Sequence, residues 1–255
     1  MKRSVILIAK NESANILECL DSVKFADEWI IVDSGSNDDT VVRSRSFGAT
    51  VIETDWPGFG PQKNRALDAA TGDWILSIDA DERVTPELAN EILHVIHSPD
   101  TVDAYEILRK EWYCGKCMNH GDWSRDYVIR LFKKGTARFT DDKIHERFLV
   151  NGTTKRFDSP MLHYSFMNFS QVLQKIDSYT DLSARQKYQQ EKRSSVGTAL
   201  GHGIWVFIRC YILKAGFLDG SQGLALAISI AQGSYYRYLK IWLLQKEEKN
   251  RKKYQ

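Results

Sequence analysis

Short apolar runs alternate with stretches of helical periodicity through the first 98 residues. Runs rich in Val and Ile are typical of buried strands, whereas apolar residues three and four positions apart indicate helices. Thr85 followed by Pro86 marks a helix start, with an N-cap residue and a proline in the first turn. The pattern predicts strands over 4–9, 28–33, 49–54 and 73–79, and helices over 14–26, 40–48, 60–71 and 86–98.

The pattern changes after about residue 101, where short aromatic-rich segments replace the alternation. Such segments are typical of antiparallel strands, and residues 168–193 return to helical periodicity. Strands that alternate with helices form right-handed βαβ units. We therefore expect an α/β fold with a mostly parallel sheet and a ligand crevice at the carboxyl ends of its strands. Antiparallel strands are predicted over 103–113, 126–135, 137–140 and 146–150.

Residues 196–244 are apolar but interrupted by charges, among them Arg209, Lys214 and Arg237. A spanning helix needs about 20 apolar residues, and the charge-free stretch 220–236 contains Ser, Gln and Gly. Two helices that lie on or dip into a membrane fit this pattern better. The alternative is a helical hairpin packed on the domain or on a second subunit.

Charge is distributed unevenly along the chain. Residues 185–255 carry 13 Lys and Arg against 4 Asp and Glu, whereas residues 1–184 carry 22 against 29. A basic segment predicts an anionic partner, either a membrane surface or nucleic acid. The aromatic residues of this segment lie among Leu, Ile, Ala and Gly and not in a basic groove, so we expect no nucleic-acid partner. The apolar run before Lys10 is too short for a signal peptide, which predicts a cytoplasmic location.

Acidic residues follow two of the predicted strands. Asp33 ends the second strand and is followed by Asp38 and Asp39, and Asp79 and Asp81 end the fourth. Carboxylates gathered at one sheet edge repel each other unless a cation or hydrogen bonds offset the repulsion. Mg²⁺ and Mn²⁺ bind carboxylates together with phosphate oxygens, so one interpretation is a metal–diphosphate site. The other is a solvated turn whose acids stabilise the next helix.

Four segments occur in a characteristic order: VILIAKNES, IIVDSGSNDDT, GPQKNRALDAATGDWILSIDADE and KIHERF. With them, the whole chain resembles the nucleotide-sugar-dependent glycosyltransferases of family 2, which share the GT-A fold. The segments HGDWSRDYVIRLF, HERF, HYSF and LKAGFLDGSQG narrow the resemblance. They are similar to the subgroup that adds glucose to a heptose of the bacterial lipopolysaccharide inner core.

The resemblance implies a metal-dependent, inverting hexosyltransferase with UDP-glucose as donor and Mg²⁺ or Mn²⁺ as cofactor. The acceptor would be a lipid-linked lipopolysaccharide core on the inner face of the bacterial inner membrane. Residues 1–193 would form the catalytic domain, with a nucleotide-binding half (1–98) and an acceptor half (99–193), and 194–255 a basic, amphipathic helical tail. One alternative is another lipid-linked acceptor, either exopolysaccharide or polyprenyl phosphate. Another is a non-catalytic protein that binds nucleotide sugar or nucleic acid.

The resemblance also implies a set of binding residues. Asp81 would contact the metal, and Asp79 the metal, its bound water or the ribose. His163 is a candidate third metal ligand, since imidazole suits Mn²⁺; the alternative is a core histidine that donates to a backbone carbonyl. The predicted nucleotide-sugar pocket consists of Asn11, Glu12, Asp33, Lys63, Asn64, Arg65, Asp79 and Arg130.

The catalytic base is assigned by the same resemblance. Glu146 in KIHERF matches the place where the subgroup carries a His-Glu pair, and the Glu-Asp pair of the wider family is absent. Asp126 is the second candidate. The alternative for Glu146 is a surface ion pair with Lys143 or Arg147.

Three further residues are assigned to the acceptor. Trp123 would stack on a sugar ring, although a buried Trp is an equal alternative. Arg125 would bind phosphate through its planar fork or balance Asp126. His120 completes this set.

The assignment of the base predicts the behaviour of Glu146→Gln. This variant should bind donor normally and lose turnover by about 10²–10⁴-fold, because no carboxylate would accept the proton of the acceptor hydroxyl. Steady-state kinetics with a donor titration measures both quantities. Near-normal turnover would exclude Glu146 as the base, and Asp126→Asn would then be measured in the same assay.

Overall fold

The computed structural model describes residues 1–98, 102–140 and 148–253. Within them the chain forms two compact units. The first contains Met1–Arg109 and Asp126–His163, and the second contains Lys110–Arg125 and Tyr164–Gln255. The boundary between residues 193 and 194 stays a prediction.

The first half of the first unit alternates strands and helices as predicted. Strands β3, β2, β1 and β4 lie side by side in that order and are all parallel. Thr85 caps the fourth helix by accepting a hydrogen bond from the Leu88 N–H. The strands are β1 Arg3–Ala9, β2 Glu28–Asp33, β3 Thr50–Glu53 and β4 Trp74–Ser77, and the helices are α1 Ile16–Ser22, α2 Thr40–Phe47, α3 Phe59–Ala69 and α4 Pro86–His97.

The later strands make the sheet mixed, which confirms the predicted change of pattern. Strand β8 is antiparallel to both β4 and β6, and β12 is antiparallel to β5. Strands β9 and β10 form a separate antiparallel pair. The later strands are β5 Glu82–Val84, β6 Ala104–Tyr113, β7 Lys116–Cys117, β8 Asp126–Lys133, β9 Ala137–Phe139, β10 Phe148–Val150, β11 Thr154–Arg156 and β12 Met161–Phe166.

Two differences from the predicted elements have physical causes. Helix α1 covers only seven residues of the predicted 14–26, because the chain turns tightly after it: Leu20 O accepts the Val23 N–H, and Val23 O accepts the Ala26 N–H. Strand β5 was not predicted, because it begins with a Glu and an Arg. Both residues are buried by ion pairs that the local pattern does not show.

Successive side chains of strand β1 pack into two different apolar cores, one on each face of the sheet. Val5 and Leu7 of β1 belong to the core that includes residues of α1 and α4. Ile6, which points to the other face, belongs to the core that contains Ala66 and Leu67 of α3. Because β1, β2 and β4 are parallel, the loops that follow them lie at one edge of the sheet.

The second unit is mainly helical. Helix α7 packs against both α5 and α6, and Lys240 of α7 forms an ion pair with Asp177 of α5 at 2.8 Å. Gly223 allows the turn before α7 to approach closely, because a Cβ there would lie 2.0 Å from Gly216 O. The unit contains α5 Phe169–Gln189, α6 Val196–Phe207, a π-helical segment Ile208–Leu213, a 3₁₀ turn Gly216–Asp219 and α7 Gly220–Lys253.

One helical stretch of the described chain, Val196–Leu213, has the length and composition required to cross a membrane. Only 17% of it is buried. The sequence predicted two helices that lie on or dip into a membrane over this region, with a helical hairpin packed on the domain or on a second subunit as the alternative.

Stability should depend on pH through Glu28, which accepts hydrogen bonds from Thr71 N at 2.6 Å and Lys2 Nζ at 2.9 Å. Burial would raise the pKa of Glu28, but bonds from Ser4, Lys2 and Thr71 lower it to about 2. A lowered folded-state pKa stabilises the fold above the unfolded value near 4.5, and this contribution disappears as pH falls towards 2.

We therefore expect Glu28→Gln to reduce the free energy of unfolding by about 1–2 kcal/mol at neutral pH. The difference from the unsubstituted protein should shrink steadily between pH 4.5 and 2, as measured by urea denaturation. Glu53→Gln, which removes an exposed partner of Arg45, should change little at any pH. A difference that grew on acidification would contradict the argument.

Candidate functional site

Two loops at the carboxyl edge of the sheet are tied together by side chains. Asn11 has a left-handed backbone with φ of 58°, and its Oδ1 accepts a hydrogen bond from Asn37 N at 2.8 Å. Asn11 N donates to Ser36 Oγ, and Glu12 N donates to Thr40 Oγ1, both at 2.8 Å. The loop after β1 is thus held by the loop after β2.

Asp33, at the end of β2, is buried and shapes its own loop. Its Oδ1 accepts the N–H groups of Gly35 at 2.9 Å and Ser36 at 2.8 Å, and its Oδ2 accepts the Ser36 hydroxyl at 2.5 Å. Gly35 has φ of 84°, which favours glycine at this turn. The contact of Asp33 with a uracil or ribose stays a prediction.

Glu12 lies near three other carboxylates at this edge of the sheet, those of Asp38, Asp79 and Asp81. Burial raises the pKa of its carboxyl, and the carboxylates of Asp81, Asp38 and Asp79 raise it further against a lowering hydrogen bond from Asn15. The negative potential of these carboxylates favours the binding of a cation.

Asp79 is held between two cationic side chains. Its Oδ2 accepts a hydrogen bond from Arg130 Nη2 at 2.5 Å, and its Oδ1 lies 3.2 Å from Lys63 Nζ. Burial would raise the pKa of Asp79, but the charges of Arg130 and Lys63 lower it well below its usual range. Asp79 is therefore a permanent anion whose charge is already balanced.

Glu82 is the fully buried centre of the ion-pair network. Its Oε1 accepts a hydrogen bond from Arg130 Nη2 at 2.5 Å and lies 3.4 Å from Arg109 Nη1. Its Oε2 accepts the Asp79 backbone N–H at 2.9 Å. Neither Glu82 nor Arg109 was among the predicted site residues. The only sequence signal was the third acid of DADE, because the arginines come from distant strands.

Asp126 is paired with Arg109 in the same network. Its Oδ2 accepts hydrogen bonds from Arg109 Nη2 and, at 2.8 Å, from Arg109 Nε. This pairing favours a structural role for Asp126 over that of a base. Glu146, the first candidate for the base, lies outside the described residues.

The three predicted residues of α3 point in different directions. Lys63 reaches Asp79. Asn64 is buried and exchanges two hydrogen bonds with the backbone of Phe139, at 2.9 and 3.1 Å. Arg65 pairs with Asp55 on the surface. Successive helix residues are about 100° apart, so only Lys63 is directed at the acidic cluster.

The predicted metal ligands are brought together in part. His163 Nε2 lies 3.2 Å from Asp81 Oδ2, whereas Asp79 faces Arg130 and Lys63. Within residues 1–98, 102–140 and 148–253, no group of three or more His, Cys, Asp or Glu forms a metal cage. Mg²⁺ commonly takes only one or two protein carboxylates and completes its shell with phosphate and water. A carboxylate and an imidazole that converge in this way fit an ion bound together with a diphosphate.

The predicted acceptor residues lie in the second unit at two different places. His120 and the exposed Arg125 line a cavity of about 610 Å³, where His120 Nδ1 lies 3.1 Å from Asp219 Oδ1. Trp123 instead stacks on Phe166, with ring centroids 5.7 Å apart. The structure therefore groups His120 with Arg125 and separates Trp123 from them.

The network predicts a large cost for Glu82→Gln. Removing one buried charge leaves Arg130 and Arg109 undercompensated, which should lower the free energy of unfolding by about 3 kcal/mol. Glu18→Gln is the matched control, because Glu18 also pairs with an arginine but its side chain is 78% exposed; it should cost under about 1 kcal/mol. Chemical denaturation measures both. Equal costs would show that burial does not strengthen the network.

The stretch of chain that forms this site matches a known protein family. The model of the family described as Glycosyl transferase family 2 matches residues 4–158. An uncharacterized glycosyltransferase of Rickettsia typhi is 31% identical over 98% of this chain and 89% of its own. The lipopolysaccharide core biosynthesis glycosyltransferase LpsC of Rhizobium meliloti is 25% identical over 92% of each chain.

Two solved structures are similar to parts of this chain. Glucosyl-3-phosphoglycerate synthase of Mycobacterium tuberculosis, in complex with Mn²⁺, UDP and glucosyl-3-phosphoglycerate, is 30% identical over 42% of this chain and 44% of its own, with a TM-score of 0.38. TarS of S. aureus is 19% identical over 65% and 61%, with a TM-score of 0.48. The family of this chain is shown by the match to the family model and by the relatives. Since the family model covers more than half of the chain, the protein belongs to glycosyltransferase family 2 and has the GT-A fold.

Proposed function

We propose that this glycosyltransferase is a metal-dependent, inverting enzyme that moves glucose from UDP-glucose onto a heptose of the lipopolysaccharide inner core. The observation that carries the proposal is the charge arrangement at the end of β4. Lys63 and Arg130 flank Asp79, and Asp81 converges with His163. A nucleotide diphosphate carries the negative charge that such cations attract.

Each part of the arrangement has a role in the proposal. Lys63 and Arg130 orient the diphosphate while Asp79 keeps them fixed. Asp81 and His163 would hold a divalent ion, which as a Lewis acid would offset the charge of the departing diphosphate. Glu146 would take the proton of the acceptor hydroxyl as that oxygen bonds to the anomeric carbon and UDP leaves from the opposite face. A single displacement of this kind inverts the anomeric configuration.

The choice of acceptor rests on a relative and on the second unit. LpsC, which matches nearly the whole chain, is named for lipopolysaccharide core biosynthesis. Large apolar side chains are exposed along α6 and the segment after it, with Ile204 at 61% and Leu213 at 63%. Together with the basic balance of residues 185–255, they support attachment to the cytoplasmic face of the inner membrane.

The donor site predicts metal-dependent binding of UDP-glucose in calorimetry. The unsubstituted protein should bind with Mn²⁺ or Mg²⁺ present and lose affinity in chelator. Asp81→Asn should weaken binding at least about tenfold, or 1.4 kcal/mol, because one metal ligand is lost. Asp68 lies on α3 and is an exposed partner of Arg138, so Asp68→Asn should bind as the unsubstituted protein does.

The same preparation then tests the acceptor. With labelled UDP-glucose, transfer is expected to lipopolysaccharide truncated at the inner-core heptose, and the product should show the inverted anomeric configuration by NMR. Transfer only to polyprenyl phosphate or an exopolysaccharide would replace the acceptor and keep the donor. If UDP-galactose, GDP-mannose and ADP-heptose were silent as well as UDP-glucose, the carboxylates would not be holding a nucleotide sugar.

A further inference from the structure

A cavity of about 650 Å³ lies within the second unit, among α5, α6 and α7. Its walls are largely apolar and include Phe166, Val172, Trp205, Val206, Leu226 and Ile230. Trp205 is 54% exposed, so the cavity opens to the surface beside the exposed apolar side chains of α6. None of the predicted donor residues lines it.

The cavity has cations but no acids. Lys175, Arg209 and Arg237 line it, and no Asp or Glu does so in the described part of the chain. Arg209 is balanced by Asp122, whose Oδ2 lies 2.6 Å from Arg209 Nη2. Among the described residues, Lys175 and Arg237 have no such counter-ion, which leaves an excess of positive charge beside the apolar walls.

Arg237 and Lys175 show this excess most directly. Within residues 1–98, 102–140 and 148–253, the Arg237 side chain makes no hydrogen bond or ion pair, and its Nε is buried without a partner. Lys175 Nζ lies over aromatic faces, 4.9 Å from the Phe166 ring centroid and 5.8 Å from that of Tyr179. Partly buried cations of this kind are stabilised when an anion enters.

The surroundings define the chemistry of that anion. A free phosphate would satisfy the guanidinium but leave the aromatic and aliphatic walls in contact with water, which is unfavourable. A phosphate joined to an acyl chain satisfies both, since the fork of arginine matches phosphate oxygens and the chain covers apolar surface. A membrane supplies such molecules to the exposed apolar face of α6 that borders the opening.

We propose that this cavity binds a phospholipid, with the phosphate at Arg237 and Lys175 and the first part of an acyl chain against the walls near Trp205 and Ile230. The cavity thus anchors the second unit to a specific lipid head group, in addition to any general attraction between the basic segment and an anionic surface. This site contains none of the predicted donor residues and needs neither UDP-glucose nor metal; of the predicted acceptor residues, Trp123 also lines it.

The test uses soluble ligands, so that surface adsorption is avoided. The full-length protein is titrated with dihexanoyl phosphatidic acid below its micelle concentration and followed by tryptophan fluorescence and calorimetry. We expect saturable binding, with inorganic phosphate at least tenfold weaker. Arg237→Gln should weaken binding at least tenfold. Arg185→Gln, which removes the same charge from an exposed pair with Asp181 on α5, should leave it unchanged.

A second pair of variants leaves the charge unchanged: one fills the cavity and the other is its control. Gly233 lines the cavity, and a Cβ at this helical position would meet no atom within 4 Å, so Gly233→Leu should fold and lose lipid binding. Gly201 in α6 is equally open but does not line the cavity, so Gly201→Leu should bind the lipid normally. Circular dichroism confirms helix content for both.

Three results would overturn the proposal. Equal losses in Arg237→Gln and Arg185→Gln would show general charge attraction, and equal affinity for inorganic phosphate would show an anion site with no use for a chain. Unchanged binding in Gly233→Leu would place the lipid elsewhere. Vesicles with and without phosphatidic acid extend the test to a bilayer, where Arg237→Gln should reduce flotation only with the anionic lipid present. Since donor is omitted throughout, failure here leaves the glycosyltransferase proposal intact.

Discussion

The rest of the site depends on the ion pairs that the buried carboxylate of Glu82 forms with Arg130 and Arg109. A charge removed from water is tolerated only when it is fully paired, and Glu82 is paired with Arg130, Arg109 and the Asp79 N–H. These contacts join β5, β6 and β8 to the loop that follows β4. The buried anion therefore ties the acidic loop to the three strands around it.

The network separates the roles of neighbouring carboxylates. Asp79, between Arg130 and Lys63, has a pKa below its usual range, whereas burial and nearby acids raise the pKa of Glu12. Carboxylates that are pushed apart in this way serve different purposes at one site. Asp79 is bound by Arg130 and Lys63, whereas Glu12 accepts a hydrogen bond from the Asn15 side chain.

The second unit presents the opposite electrostatic problem. In its cavity cations outnumber acids, and Arg237 lacks a partner among the described residues. The first unit thus has fixed anions that would suit a metal, and the second has cations beside apolar walls that would suit a lipid phosphate. An enzyme with a soluble donor and, as proposed, a lipid-linked acceptor would need both kinds of surface, which would give the two units a common physical rationale.

Much of the fold follows from local pattern. Alternating apolar runs and helical periodicity predicted the four parallel strands, their helices and the later strands β6, β8, β9 and β10, because these elements bury faces that their own residues define. Strands β5, β7, β11 and β12 were not predicted. The order of motifs was also sufficient to indicate the family, since DADE and VDSGSNDDT are short and contiguous.

The partners of those motifs were decided only by tertiary structure. Arg109 and Arg130 reach Glu82 from strands that become its neighbours only when β6 and β8 enter the sheet. Lys63, Asn64 and Arg65 were all assigned to the nucleotide-sugar pocket from the sequence, yet helix geometry directs only Lys63 to the acidic cluster. The sequence by itself determined which elements form and which family they belong to, because these depend on neighbouring residues. The folded chain decided which charges meet, because a buried ion pair depends on groups far apart in sequence that share one dry space.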